Sequence, residues 1–365
     1  MKNTKKIVCL LLVLCFCFAF AACHKKNETA VKVGSLKFSS GYYACVLFFT
    51  DSQARSKVEE ELTDKGESTE NINYYKHKID GKSYVKWVEE ETIKTIKKIA
   101  ACKLYCKENE LKLGEDEAQM KSYAEYYWDQ GYSQVLIENG VSKETYVKYM
   151  TDLSYEDLYF NHIYGAEGEE AISAEKLSEE LSENYAVADM LDVDFSSISE
   201  DEKTTKTEQL KGYVEDLTKG TRTFEEIYHE FNGDEHNSDE EEAGDDTTAK
   251  PLDSHATFIG NKDTDYSNDY FDDIYAMETN AVKIIDKKDD AGQILVVKKD
   301  VMEDPYYLSN YDTVLRHSIA DDDFDKKIEK DIKKLGFKEY KRATGRFNVK
   351  KIYYPETQQS QQQEQ

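Results

Sequence analysis

The chain has 365 residues, 74 acidic against 48 basic side chains, and a net charge of −26. A surplus of this size repels nucleic-acid phosphates and anionic lipid headgroups, which excludes nucleic acid as a partner and electrostatic docking as a route to a membrane. Proline occurs only at Pro251, Pro305 and Pro355, so nothing breaks a helical reading of residues 23–250.

The amino terminus has its own character. Lys2, Lys5 and Lys6 precede an apolar run over residues 7–22, and His24, Lys25, Lys26, Asn27 and Glu28 are polar. The run of 16 residues is shorter than the ~20 a membrane-spanning helix needs. A basic start, a short apolar middle and small residues at the end describe an export signal, to be left out of the fold. Phe20-Ala21-Ala22-Cys23 resembles the lipobox cut by lipoprotein signal peptidase. That resemblance makes Cys23 the lipid-attachment residue and residues 1–22 the signal peptide. It places the protein on the outer face of the cytoplasmic membrane, or on the periplasmic side where an outer membrane exists. Two acyl chains satisfy the requirement for stable anchoring. Without the three lysines of residues 1–22, which hold no acids, the remaining chain carries −29.

Cys45, Cys102 and Cys106 remain, too few for a complete pairing. Cys102 and Cys106 lie one helical turn apart in line with Ile99 and read as small buried hydrophobes. Cys-x-x-Cys spacing is absent, and no cysteine–histidine cluster has zinc-ligand spacing, so no metal or other cofactor is expected.

Residues 30–38 alternate as a short strand and turn, and a helix follows Ser39-Ser40 with Tyr43, Val46, Leu47 and Phe49 facing a core. Residues 61–82 are polar and read as a loop. From Tyr84 to about Glu110, Ile93, Ile96, Ala100 and Leu104 recur at helical spacing, the amphipathic face of a bundle helix. Another helix follows Gly114, with Met120, Tyr123, Tyr127 and Trp128. Asn139-Gly140 forms a turn, and Ser142 caps the next helix with Val141 and Tyr146 as its hydrophobic staple. A further helix starts at Ser173.

The pattern changes at Tyr185. Residues 186–195 alternate as a strand; helices over 207–217 and 224–231 follow, then an acidic segment, 233–247, which reads as a solvated loop. Strands over 256–259, 281–285 and 293–297, with a helix carrying Tyr270, Phe271, Ile274 and Tyr275, complete a small α+β domain. After Pro305 a helix returns through Tyr311, Leu315, Phe324 and Ile332; residues 337–354 read as extended, and the glutamine-rich end as disordered.

This order of segments resembles the SurA/PrsA class of extracytoplasmic foldases. The likeness is carried by residues 31–39, by the link over residues 107–117, by residues 139–146, by Phe224-Glu225-Glu226-Ile227 and by residues 270–277. It implies an α+β fold: a discontinuous helical chaperone-like domain, from N- and C-terminal segments, with an inserted parvulin-like α+β domain. The expected divisions are residues 23–184 and 302–354 for the helical domain, 185–301 for the insert and 355–365 for the tail. The resemblance implies unfolded exported proteins as partners and a peptidyl-prolyl isomerase site in the insert. Active parvulins carry histidines in the first and last strands. Here the first position is Asp189, in Ala188-Asp189-Met190-Leu191, and the last strand, Gly292-Gln293-Ile294-Leu295-Val296, has no histidine. Asp189 is therefore read as a degenerate isomerase position, no catalytic residue is assigned, and His229, His236 and His255 are read as surface residues. The competing functions are an active prolyl isomerase and, more distantly, a solute-binding lipoprotein, whose two α/β lobes suit the helical residues 84–184 poorly.

Overall fold

The computed structural model describes residues 28–233, 256–264, 266–302 and 305–355. The signal segment, Cys23, most of the acidic segment with His236 and His255, and the tail beyond residue 355 lie outside them. The protein is mixed helix and sheet, an α+β chain, in two compact units. Unit 1 takes the chain up to His162 together with the chain from Asp323 onward, and unit 2 is Ile163–Asp322.

Unit 1 begins with strands β1 (Thr29–Val33) and β2 (Leu36–Ser39), joined through Gly34 at a φ of 54°. That backbone favours glycine, and an added Cβ would also lie 2.9 Å from Leu104. Helix α1 (Ser40–Asp64) follows, its first turn capped by Ser39, whose hydroxyl accepts from the Tyr42 N–H at 3.1 Å. This helix runs past residue 61 because Val58 and Leu62 are drawn into the core. A small hairpin, β3 (Lys78–Ile79) and β4 (Lys82–Ser83), leads into α2 (Tyr84–Glu108), which buries Trp87, Val88, Ile96, Ile99 and Ala100. Then come α3 (Glu115–Tyr127), a π-helical turn (Trp128–Tyr132), α4 (Ser133–Glu138) and α5 (Lys143–Tyr164). Val141 and Tyr146, the staple pair around Ser142, are both buried.

Unit 2 opens with the last residues of α5, then α6 (Ala174–Asn184) and β5 (Tyr185–Asp194). Two helices follow, α7 (Glu200–Lys219) and α8 (Phe224–Asn232), each started by a capping box, Ser199 with Glu202 and Thr223 with Glu226. Strand β6 (Ala256–Gly260), helix α9 (Phe271–Tyr275) and strands β7 (Val282–Asp286) and β8 (Gly292–Lys299) complete an antiparallel four-stranded sheet of order β6-β5-β8-β7. Side chains on its two faces enter separate cores. Ala186, Ala188, Ile294 and Val296 pack with Phe271 and Ile274 of α9; Leu191, Val193 and Leu295 pack with Leu210 and Tyr213 of α7 and Ile227 of α8.

The returning helical stretch is broken at Tyr311 into α10 (Pro305–Asn310) and α11 (Asp312–Lys334). Tyr311 stacks on Phe258 of β6 at 3.8 Å between centroids. The buried Arg316 guanidinium donates to the Tyr164 and Ile172 carbonyls and forks onto Asp312, so the first half of α11 belongs to unit 2. From Asp323 the helix is part of unit 1, where Phe324 meets Tyr159 and Phe160 edge to face. Strand β9 (Phe337–Glu339) pairs with β1, closing the three-stranded sheet β2-β1-β9. Residues 337–354, expected to be extended throughout, are interrupted by α12 (Lys341–Thr344) and a 3-10 turn (Val349–Lys351), which put Ala343 and Val349 in the core.

Candidate functional site

In unit 2, Asp189 lies in the middle of β5 on the same face as Leu191 and Val193, with 0% of its surface exposed. The β5–β8 register sets Asp189 opposite Val297 and Val187 opposite Lys299, which makes Lys299 its diagonal neighbour on that face. The Lys299 ammonium sits 2.8 Å from Asp189 Oδ2 and keeps part of its surface in solvent. A buried carboxylate without a cation would carry a large desolvation cost, and Lys299 offsets it. No histidine occupies β8. His229, on α8, is half-buried with Nε2 2.8 Å from Glu225 Oε1, a pair within one helical turn.

In unit 1, a cavity of about 600 Å³ opens between α2, α3 and α5. Its floor is Asp152, a buried side chain on α5. Asp152 accepts from the Tyr42 hydroxyl at 3.1 Å and from Lys148 at 2.7 Å, and forms an ion pair with Lys103 of α2. Burial holds the Lys103 ammonium below its usual pKa even though Asp152 opposes the shift, and it raises the Tyr42 hydroxyl well above its own. Lys103 also lies 4.7 Å from the centre of the Tyr155 ring, a cation–π contact. The rim carries both signs: Lys121 bonds Glu117 at 2.6 Å, Glu125, Lys143 and Glu144 stand beside them, and Val147 supplies apolar wall. The chemistry on offer is adhesion, with fixed charges of both signs around apolar surface.

Helix α3 also presents aromatic rings to water. Tyr123, Tyr126 and Tyr127 are 51%, 58% and 50% exposed, and Tyr132 in the π-helical turn is 38% exposed. Tyr132 also touches the core, its ring 5.9 Å from that of the buried Tyr146 and 5.8 Å from that of Phe49. The sequence marks this helix weakly: its repeat leaves Ala124 as its only buried residue, so the tyrosines have no core to enter.

Among the described residues no group of three histidine, cysteine or carboxylate side chains is placed to hold a metal ion, and no helix is long and apolar enough to cross a membrane. Cys45, Cys102 and Cys106 are buried free thiols. No protein-family model and no curated protein matches the chain. Among solved structures it is similar, at 12% identity and a TM-score of 0.38, to the foldase protein PrsA from Streptococcus pneumoniae str. Canada MDR_19A, over 67% of this chain and 84% of that one.

Proposed function

We propose that the protein is a lipid-anchored extracytoplasmic folding factor that binds unfolded exported proteins through unit 1 and has lost prolyl isomerase activity in unit 2. The observation that carries the binding half is the exposed row Tyr123, Tyr126 and Tyr127 on a helix that also walls the cavity above Asp152. Unfolded chains expose apolar and aromatic side chains. Tyrosine rings meet them with a large apolar area and a polar tip that stays wet. Charges of both signs on the rim suit clients of varied sequence. On this reading unit 1 is the chaperone-like domain, anchored through lipid on Cys23, and unit 2 is the parvulin-like insert. Supporting the loss of activity, Asp189 stands where the resemblance places an imidazole and is engaged by Lys299. A carboxylate accepts hydrogen bonds but cannot donate one as a neutral imidazole does.

The test uses the soluble form, residues 24–365, in two assays. It should suppress aggregation of an unfolded client and leave the slow X-Pro isomerisation of a peptide unaccelerated. Replacing Tyr123, Tyr126 and Tyr127 together by alanine should weaken client binding by at least ~1 kcal/mol, roughly five-fold. These side chains are exposed, so the fold should tolerate the change. Absence of suppression by the parent protein would defeat the chaperone reading. Isomerase rates like those of an active parvulin, removed by a substitution in unit 2, would overturn the degenerate-site reading.

A further inference from the structure

After Val349 the chain of unit 1 changes the way it is held. The preceding β9 is fixed by a main-chain ladder to β1, and the Tyr340 N–H reaches the Ala30 carbonyl at 2.8 Å. Residues 350–355 are gripped by side chains instead. The Asn139 amide bonds the main chain of Tyr353 both ways, donating to its carbonyl at 2.9 Å and accepting from its N–H at 2.9 Å. Such a grip reads the backbone and not the side chain, and Tyr353 is 38% exposed. The next side chain, Tyr354, is the anchor. Its ring stacks on Phe48 at 5.4 Å, lies 4.0 Å under the Arg55 guanidinium, and its hydroxyl donates to Asp51 Oδ2 at 2.8 Å. Beside this grip, between residues 346–352 and α1, a cavity of about 250 Å³ remains.

The seat does not depend on its occupant. Asp51 is completely buried, yet without Tyr354 it would still accept from Arg55 at 3.0 Å and from the Tyr84 hydroxyl at 3.0 Å. Arg55 would still rest on the Tyr74 ring at 4.4 Å. Departure of the segment therefore leaves no buried charge unpaired, the event that usually locks such a contact shut. We propose that Asn139, Asp51, Arg55 and Phe48 form a binding seat for an extended, tyrosine-bearing segment of an unfolded polypeptide, and that residues 350–355 fill it as a displaceable stand-in. This rests on the client-binding reading above and adds to it a specific subsite, its side-chain preference and a reason for restrained affinity at rest. A self-filled seat lowers apparent affinity by the fraction of time it is open.

The experiment measures binding of a labelled peptide, Lys-Lys-Ile-Tyr-Tyr-Pro (residues 350–355), to the protein of residues 24–365 by fluorescence anisotropy. With the seat open about a tenth of the time or less, Tyr354→Ala should tighten binding about ten-fold or more over the parent. Adding Asn139→Ala should abolish that gain, and a peptide with both tyrosines replaced by alanine should not bind. Equal affinity of the parent and Tyr354→Ala, or no binding to a natively folded Tyr354→Ala, overturns the proposal. Hydrogen exchange on the unsubstituted protein decides the matter even where Tyr354→Ala does not fold. The Tyr353 amide should exchange at least about ten-fold faster than the Tyr340 amide in the adjoining ladder, and equal protection overturns the proposal. Peptide binding without any suppression of client aggregation would leave the seat standing and defeat the broader reading instead.

Discussion

Asp152→Ala tests whether the floor of the unit 1 cavity is a structural hub. The substitution strips three groups of their acceptor, and each responds according to its exposure. Tyr42 is 2% exposed, so its hydroxyl would be left in the interior, at about 1–3 kcal/mol. Lys103 has 18% of its side chain exposed and would keep a poorly solvated charge. Lys148, 54% exposed, turns to water at little cost, under about 1 kcal/mol. The total falls at about 3–5 kcal/mol, the range for removing one partner of a buried ion pair. That is a large share of the ~5–15 kcal/mol by which domains are stable. Urea unfolding followed by circular dichroism should show a lower midpoint at an unchanged slope. Asp152→Asn should cost less, since its amide oxygen can still accept from Tyr42. The double variant Asp152→Leu/Lys103→Met should recover stability relative to Asp152→Ala, because it removes the stranded charge with its partner. A loss below about 1 kcal/mol for Asp152→Ala would refute the hub. A double variant less stable than Asp152→Ala would show that Lys103 is not the group left stranded.

Three further outcomes follow from the sequence and the packing. Cys23→Ala should abolish incorporation of labelled fatty acid and leave an unprocessed or mislocalised precursor, and normal labelling would end the lipoprotein assignment. Burial raises the hydroxyls of Tyr42, Tyr43, Tyr84 and Tyr149 far above 10.0 and pushes Tyr146 up to about 12. Folding thus favours their protonated forms; this contribution is complete below pH 10 and lost as pH rises through the folded values, so unfolding in rising alkali should coincide with tyrosinate absorbance. Burial also pushes the Cys106 thiol up to about 11 and those of Cys45 and Cys102 higher still. In the protein of residues 24–365 at pH 8, a thiol reagent should react slowly with the native form and reach all three thiols in urea; a fast native phase would contradict their burial.

Local signals carried well from sequence to structure. The alternation from Ala186 onward marks β5, and the recurrence of Ile96 and Ala100 marks α2. Ser142 and Ser173 start helices where their spacing to the next apolar residues places them. Features that depend on distant partners were not legible. Asp152 sits four residues from Lys148, which reads as an ordinary surface pair; its other partners, Lys103 and Tyr42, are 49 and 110 positions away. The partner of Asp189 follows only from the β5–β8 register, which no local pattern specifies. The break at Tyr311 likewise reflects the stack on Phe258 and not any helix-stopping residue in that stretch. Periodicity reports which face of an element is buried. It does not report what that face meets.

Among the described residues three aspartates are buried, and they share one arrangement. In a chain with 74 acids, Asp51, Asp152 and Asp189 are withdrawn from water, and each has a cation beside it: Arg55, Lys103 and Lys299. Their surroundings differ. Asp51 and Asp152 also accept from tyrosine hydroxyls, so each carboxylate fixes a helix to a distant part of unit 1, and Asp152 also floors the cavity between α2, α3 and α5. Asp189 sits flat in a sheet with its cation two residues along the neighbouring strand. On the proposed reading, a histidine placed there would not by itself make an isomerase, because Lys299 would then face an imidazole and repel its protonated form. In a peptide isomerisation assay neither Asp189→His nor Asp189→His/Lys299→Ala should accelerate X-Pro rotation, since β8 still lacks the second imidazole that the parvulin resemblance calls for. On the proposed reading, unit 2 keeps its sheet for shape, and the chemistry that matters is adhesion in unit 1.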